Sequence, residues 1–168
     1  KITEFNSETF NWMARLIGYL FAHEFNDEQW LDYFGAYIDN WIRALYNAGR
    51  VEWDSNIYFA YCFQPVLVLY ECAPTETVKQ QAKAALDWML ITAALKHLDG
   101  FQIGPDVRAK NHPYRPFDGS TWFYSYLYFA DASYQPSFSQ TAYLEHVKRQ
   151  WVGFAAQSSY RPPQVAID

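Results

Sequence analysis

The chain has 168 residues, of which 51% are hydrophobic and only 18% charged, a balance that excludes wholesale disorder and suffices for one domain with a real core. The net charge is −5 and the basic residues are scattered apart from Lys148-Arg149, so there is no electrostatic footprint for nucleic acid. The longest apolar stretch, Pro65 to Tyr70, is far too short to span a bilayer.

Apolar spacing and caps predict six helical segments. The first runs from about Ser7, its N-cap, to Glu24, with Phe10, Met13, Leu16, Ile17, Leu20 and Phe21 at helical spacing. Asn26 then caps a second helix to about Asn47, with Asp27 and Glu28 set well against its dipole and Gly49 as the stop. Ser55 caps a third to about Cys72, where Pro65 predicts a kink. Pro74-Thr75 opens a fourth, expected to reach Leu98 and to be closed by Gly100. A fifth starts near Ser120 and reaches about Ala132, and a sixth runs from about Ser139 to Ala156 before a Pro-containing tail.

Helices one and two, and three and four, are joined by a few residues, which forces antiparallel neighbours. The fourth connection differs. Residues 99–119 form a long loop rich in Gly, Pro and charge, and loops of that length inside a domain are usually functional or disordered. Phe101, Ile103, Tyr114 and Phe117 could anchor it, so an ordered loop is expected. Cys62 and Cys72 are ten positions apart on one predicted helix, roughly 15 Å at the α-helical rise and too far to bridge. Buried structural thiols are expected.

An internal repeat ties the pairs together. Glu4-Phe5-Asn6-Ser7-Glu8-Thr9-Phe10 matches Glu52-Trp53-Asp54-Ser55-Asn56-Ile57-Tyr58, 48 residues on, and Phe117-Asp118-Gly119-Ser120 is a degenerate third copy without the Glu. Serine and the preceding Asn or Asp are explained by capping, and the second-position aromatic by a hydrophobic staple. Capping does not require Glu4 or Glu52. These carboxylates either bind the preceding repeat or point into a shared cavity.

Paired helices headed by E-F-N-S-E-T-F and E-W-D-S-N-I-Y resemble the (α/α) toroids of polysaccharide lyases, the heparinase II/III-like and alginate-lyase groups in style. The likeness covers most of the chain as architecture. It implies an all-α fold of three consecutive antiparallel helix hairpins forming an incomplete (α/α) toroid, a single unit over residues 1–168 that is either a fragment of a larger ring or completes its cavity by association. The implied partner is a polysaccharide or oligosaccharide, with the remaining toroid segments or a homo-oligomer beside it. No nucleic acid, membrane, metal or cofactor is implied. No signal peptide is visible and the chain begins at Lys1, as a processed secreted protein or an internal fragment would. The compartment stays open, with the periplasm or the exterior as candidates.

The loop gathers Asp106, Arg108, Lys110, Asn111, His112, Tyr114 and Arg115. Asn111-His112 followed by Tyr114 is similar to the Asn-His element and tyrosine of toroid lyases. β-Elimination from a uronic acid needs the carboxylate neutralised, a base for the C5 proton and an acid for the leaving oxygen. Asn111 or Arg115 would do the first, His112 the second and Tyr114 the third. Two departures from the family pattern stand. Here Asn-His lies in a loop rather than on a helix, and Tyr114 is only two residues beyond His112, where side chains of an extended segment point apart. Tyr124, Tyr126 or Tyr128 are therefore alternatives for the acid.

Candidate substrate contacts are Glu4, Glu52, Trp53, Asp54 and Arg108, with Trp122, Tyr124 and Tyr126 from an aromatic run that covers every face of the fifth helix. That helix either lines a glycan groove or is buried on both sides. A glycoside hydrolase would instead pair carboxylates from Glu4, Glu52, Asp54 and Asp106. A non-catalytic glycan-binding or interaction module would use the same aromatics without turnover. The remaining histidines read as structural: His23 and His97 as cations at helix C-termini, His146 mid-helix, with no metal-ligand spacing among them.

Overall fold

The computed structural model describes residues 8–50, 55, 58–98, 101–102, 120–129 and 149–167. The described part is all-α, with α1 (Glu8–Glu24), α2 (Glu28–Ala48), α3 (Tyr58–Cys72), α4 (Glu76–Ala94), α5 (Ser120–Phe129) and α6 (Arg149–Gln157). A minimal antiparallel pairing joins β1 (His97–Leu98) to β2 (Phe101–Gln102), and a 3-10 turn at Gln164–Ala166 is the last element among the described residues. No helix among the described residues is long and apolar enough to cross a membrane.

The first two helix pairs repeat at 48 residues in more than their opening motif. α1 ends at Glu24 and α3 at Cys72; α2 starts at Glu28 and α4 at Glu76. The caps repeat too, since Asp27 accepts from the Trp30 amide and Thr75 from the Val78 amide. The pairs stack first on first and second on second, α1 against α3 and α2 against α4. Thr9 meets Cys62 across the first contact. Across the second, Gln81 donates to Asp39 and the Tyr46 hydroxyl to the Ala84 carbonyl.

Helix α3 lies at the centre, touched by α1, α4, α5 and α6. Most of its surface is apolar and buried, with the stripe of Tyr61, Gln64, Val68 and Glu71 half-buried, and Phe63, Val66, Leu67 and Leu69 have no exposed surface. Each such side chain contributes about 1.5–3 kcal/mol by burial. Pro65 is buried inside α3, and the helix runs through it to Cys72. Around the core, Trp12 meets Trp41 edge to face at 4.2 Å. The buried Arg50 guanidinium lies over the rings of Trp12 and Phe59, at 5.2 and 5.7 Å.

The structure corrects the sequence reading at several points. Asn26 does not cap α2 but closes α1. Its φ of 54° is left-handed, its amide donates to the His23 carbonyl and the Asp27 amide to that of Ala22, which is the Schellman pattern with Asn in the place usually taken by Gly. Asp27, one residue later, is the cap.

Helix α4 stops at Ala94 instead of Leu98. His97 and Leu98 are drawn into strand pairing with Gln102 and Phe101, across Asp99-Gly100, a sequence much used in two-residue hairpin loops. His97 is thus no helix-end cation. Within the long connection, Phe101 and Gln102 form the second strand of this hairpin, while residues 99–100 lie outside the described residues. Of the two free cysteines, Cys62 is buried as expected but Cys72 is exposed. Ser55 caps as expected, accepting from the Tyr58 amide at 3.2 Å. The Ser7 cap, residues 103–119 and the first part of the sixth helix lie outside the described residues; of the expected third pair α5 and α6 are described, and they pack on each other.

Candidate functional site

Most residues singled out for chemistry lie outside the described part: Glu4, Glu52, Trp53, Asp54, Asp106, Arg108, Asn111, His112, Tyr114 and Arg115. Trp122 and Tyr126 fall on α5, but their side chains are not described. What is described is the frame around the loop. It departs from β2 and returns at α5, and these two elements touch each other, so both ends of residues 103–119 start from one place on the fold.

His97 stands at that junction. Its ring lies 6.0 Å from that of Phe129, and its Nδ1 is buried with no hydrogen-bond partner among the described residues. Burial pushes the imidazole below its ordinary 6.5, because desolvation penalises the cation. It is a neutral, packed histidine.

Tyr124 lies wholly inside the core, with Phe63 at 4.6 Å and Phe59 at 5.8 Å between ring centroids. Of the two readings of the aromatic helix, burial holds for this residue, and its ring serves packing. The hydroxyls of Tyr124 and Tyr128 are held well above the ordinary phenol range, chiefly by burial. Tyr128 Oη has no partner among the described residues.

Two arrangements went unrecognised in the sequence. The first is a clamp on the C-terminal tail. Glu71, at the end of α3, accepts from the Ser158 hydroxyl and, at 2.7 Å, from the Ser159 amide, with the Ser159 hydroxyl at 3.1 Å. Burial alone would raise this carboxyl, but these hydrogen bonds outweigh it and hold the group below its ordinary value. Beyond it, the buried Tyr160 reaches Asp87 of α4, and Arg161 Nη1 donates to the Ser158 and Tyr160 carbonyls. Burial first, and then the Asp87 carboxylate, keep the Tyr160 phenol protonated.

The second is an open groove of about 400 Å³ along the outer side of the first pair. Ala14, Gly18 and Ala22 form its floor on α1, and Phe21, Phe25, Trp30 and Phe34 its walls. A Cβ on Gly18 would stand 2.7 Å from Phe34 Cζ, so only glycine lets this ring sink so far between the helices. Trp30 stacks on Phe34 at 5.3 Å and 21°. Arg15 and Asp27 are the charged groups of the lining. Arg15 lies 4.6 Å over the Tyr37 ring. A groove of this size and aromatic character is what small ligands and docked segments both use. A run of small residues opposite large rings is its sequence signal.

Comparison of the chain with protein-family models, with curated proteins and with solved structures finds no match.

Proposed function

We propose that the chain is a carbohydrate-active protein built on part of an (α/α) toroid, and within that class a polysaccharide lyase that cleaves a uronate-containing glycan by β-elimination. The observation that supports this most is the stacking of two helix pairs in a common 48-residue register, first on first and second on second. Repetition of that step generates a curved array with a concave side. The β2–α5 contact adds a second support, because it brings together the two ends of the loop that bears the candidate chemistry.

In this reading Asn111 or Arg115 neutralises the uronate carboxylate and makes the C5 proton acidic. His112 removes that proton, the electron pair forms the C4–C5 double bond, and the C4–O bond breaks as Tyr114, Tyr126 or Tyr128 delivers a proton to the leaving oxygen. Glu4, Glu52, Trp53, Asp54, Arg108 and Trp122 supply substrate contacts.

The test is incubation of the purified chain with alginate, heparin and pectate, following the ultraviolet absorbance of the unsaturated product. Turnover that disappears in His112→Ala supports the proposal. Absence of unsaturated product on every uronate polymer overturns the lyase. Reducing ends appearing without unsaturation would then indicate a hydrolase acting through Glu4, Glu52, Asp54 or Asp106, and binding without cleavage a glycan-binding module.

A further inference from the structure

The groove on the first pair has a counterpart in the second. At the 48-residue register, Ala14, Gly18 and Phe21 of α1 correspond to Cys62, Val66 and Leu69 of α3, all three fully buried. Cys62 meets Thr9 of α1, and Val66 and Leu69 follow it at helical spacing, so this is the side of α3 that the first pair covers. On α1 the corresponding side meets Phe34 of its own pair at Gly18, and Phe21 and Phe25 on its rim are left 60% and 75% exposed. Large contiguous apolar surface of this kind marks an association site.

We propose that this groove is the interface of a homodimer, occupied by the first helix pair of a second copy of the chain about a two-fold axis. A two-fold interface must be self-complementary, because each copy presents the same patch. Here the patch holds both a ridge and a slot. Phe21 and Phe25 stand up as a stacked pair 6.4 Å apart, beside the slot floored by Gly18 and walled by Trp30 and Phe34. Each ridge enters the other copy's slot. The charges match as well. Arg15 and Asp27 have opposite sign and lie toward opposite ends of the groove, one within α1 and the other at the start of α2, so a two-fold axis sets each Arg15 opposite the partner's Asp27. The inference rests on the groove alone and is independent of the glycan chemistry proposed above.

Sedimentation velocity of the full chain over a range of concentrations tests it. The expected result is a monomer–dimer equilibrium weakened about tenfold or more by Phe21→Ser with Phe25→Ser, since exposed aromatic anchors carry most of such an interface. Arg15→Glu should also weaken it, with a reduced salt dependence. Thermal melts monitored by circular dichroism verify that the variants still fold. A chain that stays monomeric at the highest concentration reached overturns the proposal. So does a dimer whose dissociation constant these substitutions leave unchanged.

Discussion

The Tyr160 hydroxyl donates to Asp87 Oδ1 at 2.9 Å while Lys83 Nζ holds Oδ2 of the same carboxylate at 2.6 Å. One side chain of α4 therefore fastens both its own helix surface and the C-terminal tail. Tyr160→Phe keeps the buried ring and deletes only the hydrogen bond, so urea denaturation should show a loss of about 1–2 kcal/mol. Asp87→Asn in the same background should cost less than it does in the wild type, because the two groups are coupled. Strictly additive losses would contradict the shared bond.

Acidification should release the tail at Glu71. Its folded-state carboxyl sits below the ordinary 4.5 because the hydrogen bonds from Ser158 and Ser159 outweigh burial. The stabilisation is therefore complete above the unfolded value and is lost as pH falls through the lower folded value. Limited proteolysis near the C-terminus, followed from pH 6 down to about pH 3, should accelerate in the wild type. In Glu71→Gln it should be fast throughout and nearly flat.

His97 gives a separate, milder pH dependence. Burial depresses its pKa from 6.5, so the folded state favours the neutral ring. Its contribution is full above the unfolded value and declines as pH falls toward the folded one. Melting temperature should therefore fall below about pH 6.5, and His97→Leu should flatten that part of the curve while leaving the Glu71 region in place. Identical slopes in the two proteins would rule the histidine out.

Gly18→Ala sets two effects against each other. Replacing a mid-helix glycine gains about 0.5–1 kcal/mol of helix stability. The new Cβ, 2.7 Å from Phe34 Cζ, must push that ring outward, and the half-buried ring has room to move toward the groove. The net stability change should stay within about 1 kcal/mol. The tryptophan emission should change less when Gly18→Ala is made in a Trp30→Phe background than in the wild type, because Trp30 stacks on the displaced ring.

Core and surface leucines give the contrast that tests the packing. Leu67 is fully buried in α3, whereas Leu95, just past the end of α4, is 80% exposed. Leu67→Ala should cost about 2–5 kcal/mol through lost burial and a residual cavity. Leu95→Ala should change stability by less than about 0.5 kcal/mol. Guanidinium unfolding of the two variants side by side decides it.

The helices and their pairing were legible because they rest on local signals. Apolar spacing located all four helices of the first two pairs, and Ser55, Thr75 and Gly49 act where the sequence put them. The errors fell where two local rules compete. Asn26 and Asp27 are both good caps, and only the left-handed turn at Asn26 decides that one ends a helix and the other begins the next. At His97 the helical pattern competed with a hairpin whose Asp99-Gly100 link was read as a helix stop. The tail clamp was illegible for a different reason. Glu71 and Ser158 are 87 residues apart, and neither residue type at either position announces a partner. The groove lay between: its small and large residues were in view, but which side of α1 stays uncovered follows only from how the pairs stack.

The burial of Cys62 against Thr9 makes the chain its own reporter of internal opening. A thiol reagent added to the native protein modifies Cys72 first, since that residue is exposed. It reaches Cys62 when the core around that side chain opens, and the Thr9 contact makes the parting of the first helix pair from the second one such opening. The slow phase of labelling therefore clocks the opening of the core, the parting of two neighbouring repeats included, and no probe need be engineered to time it.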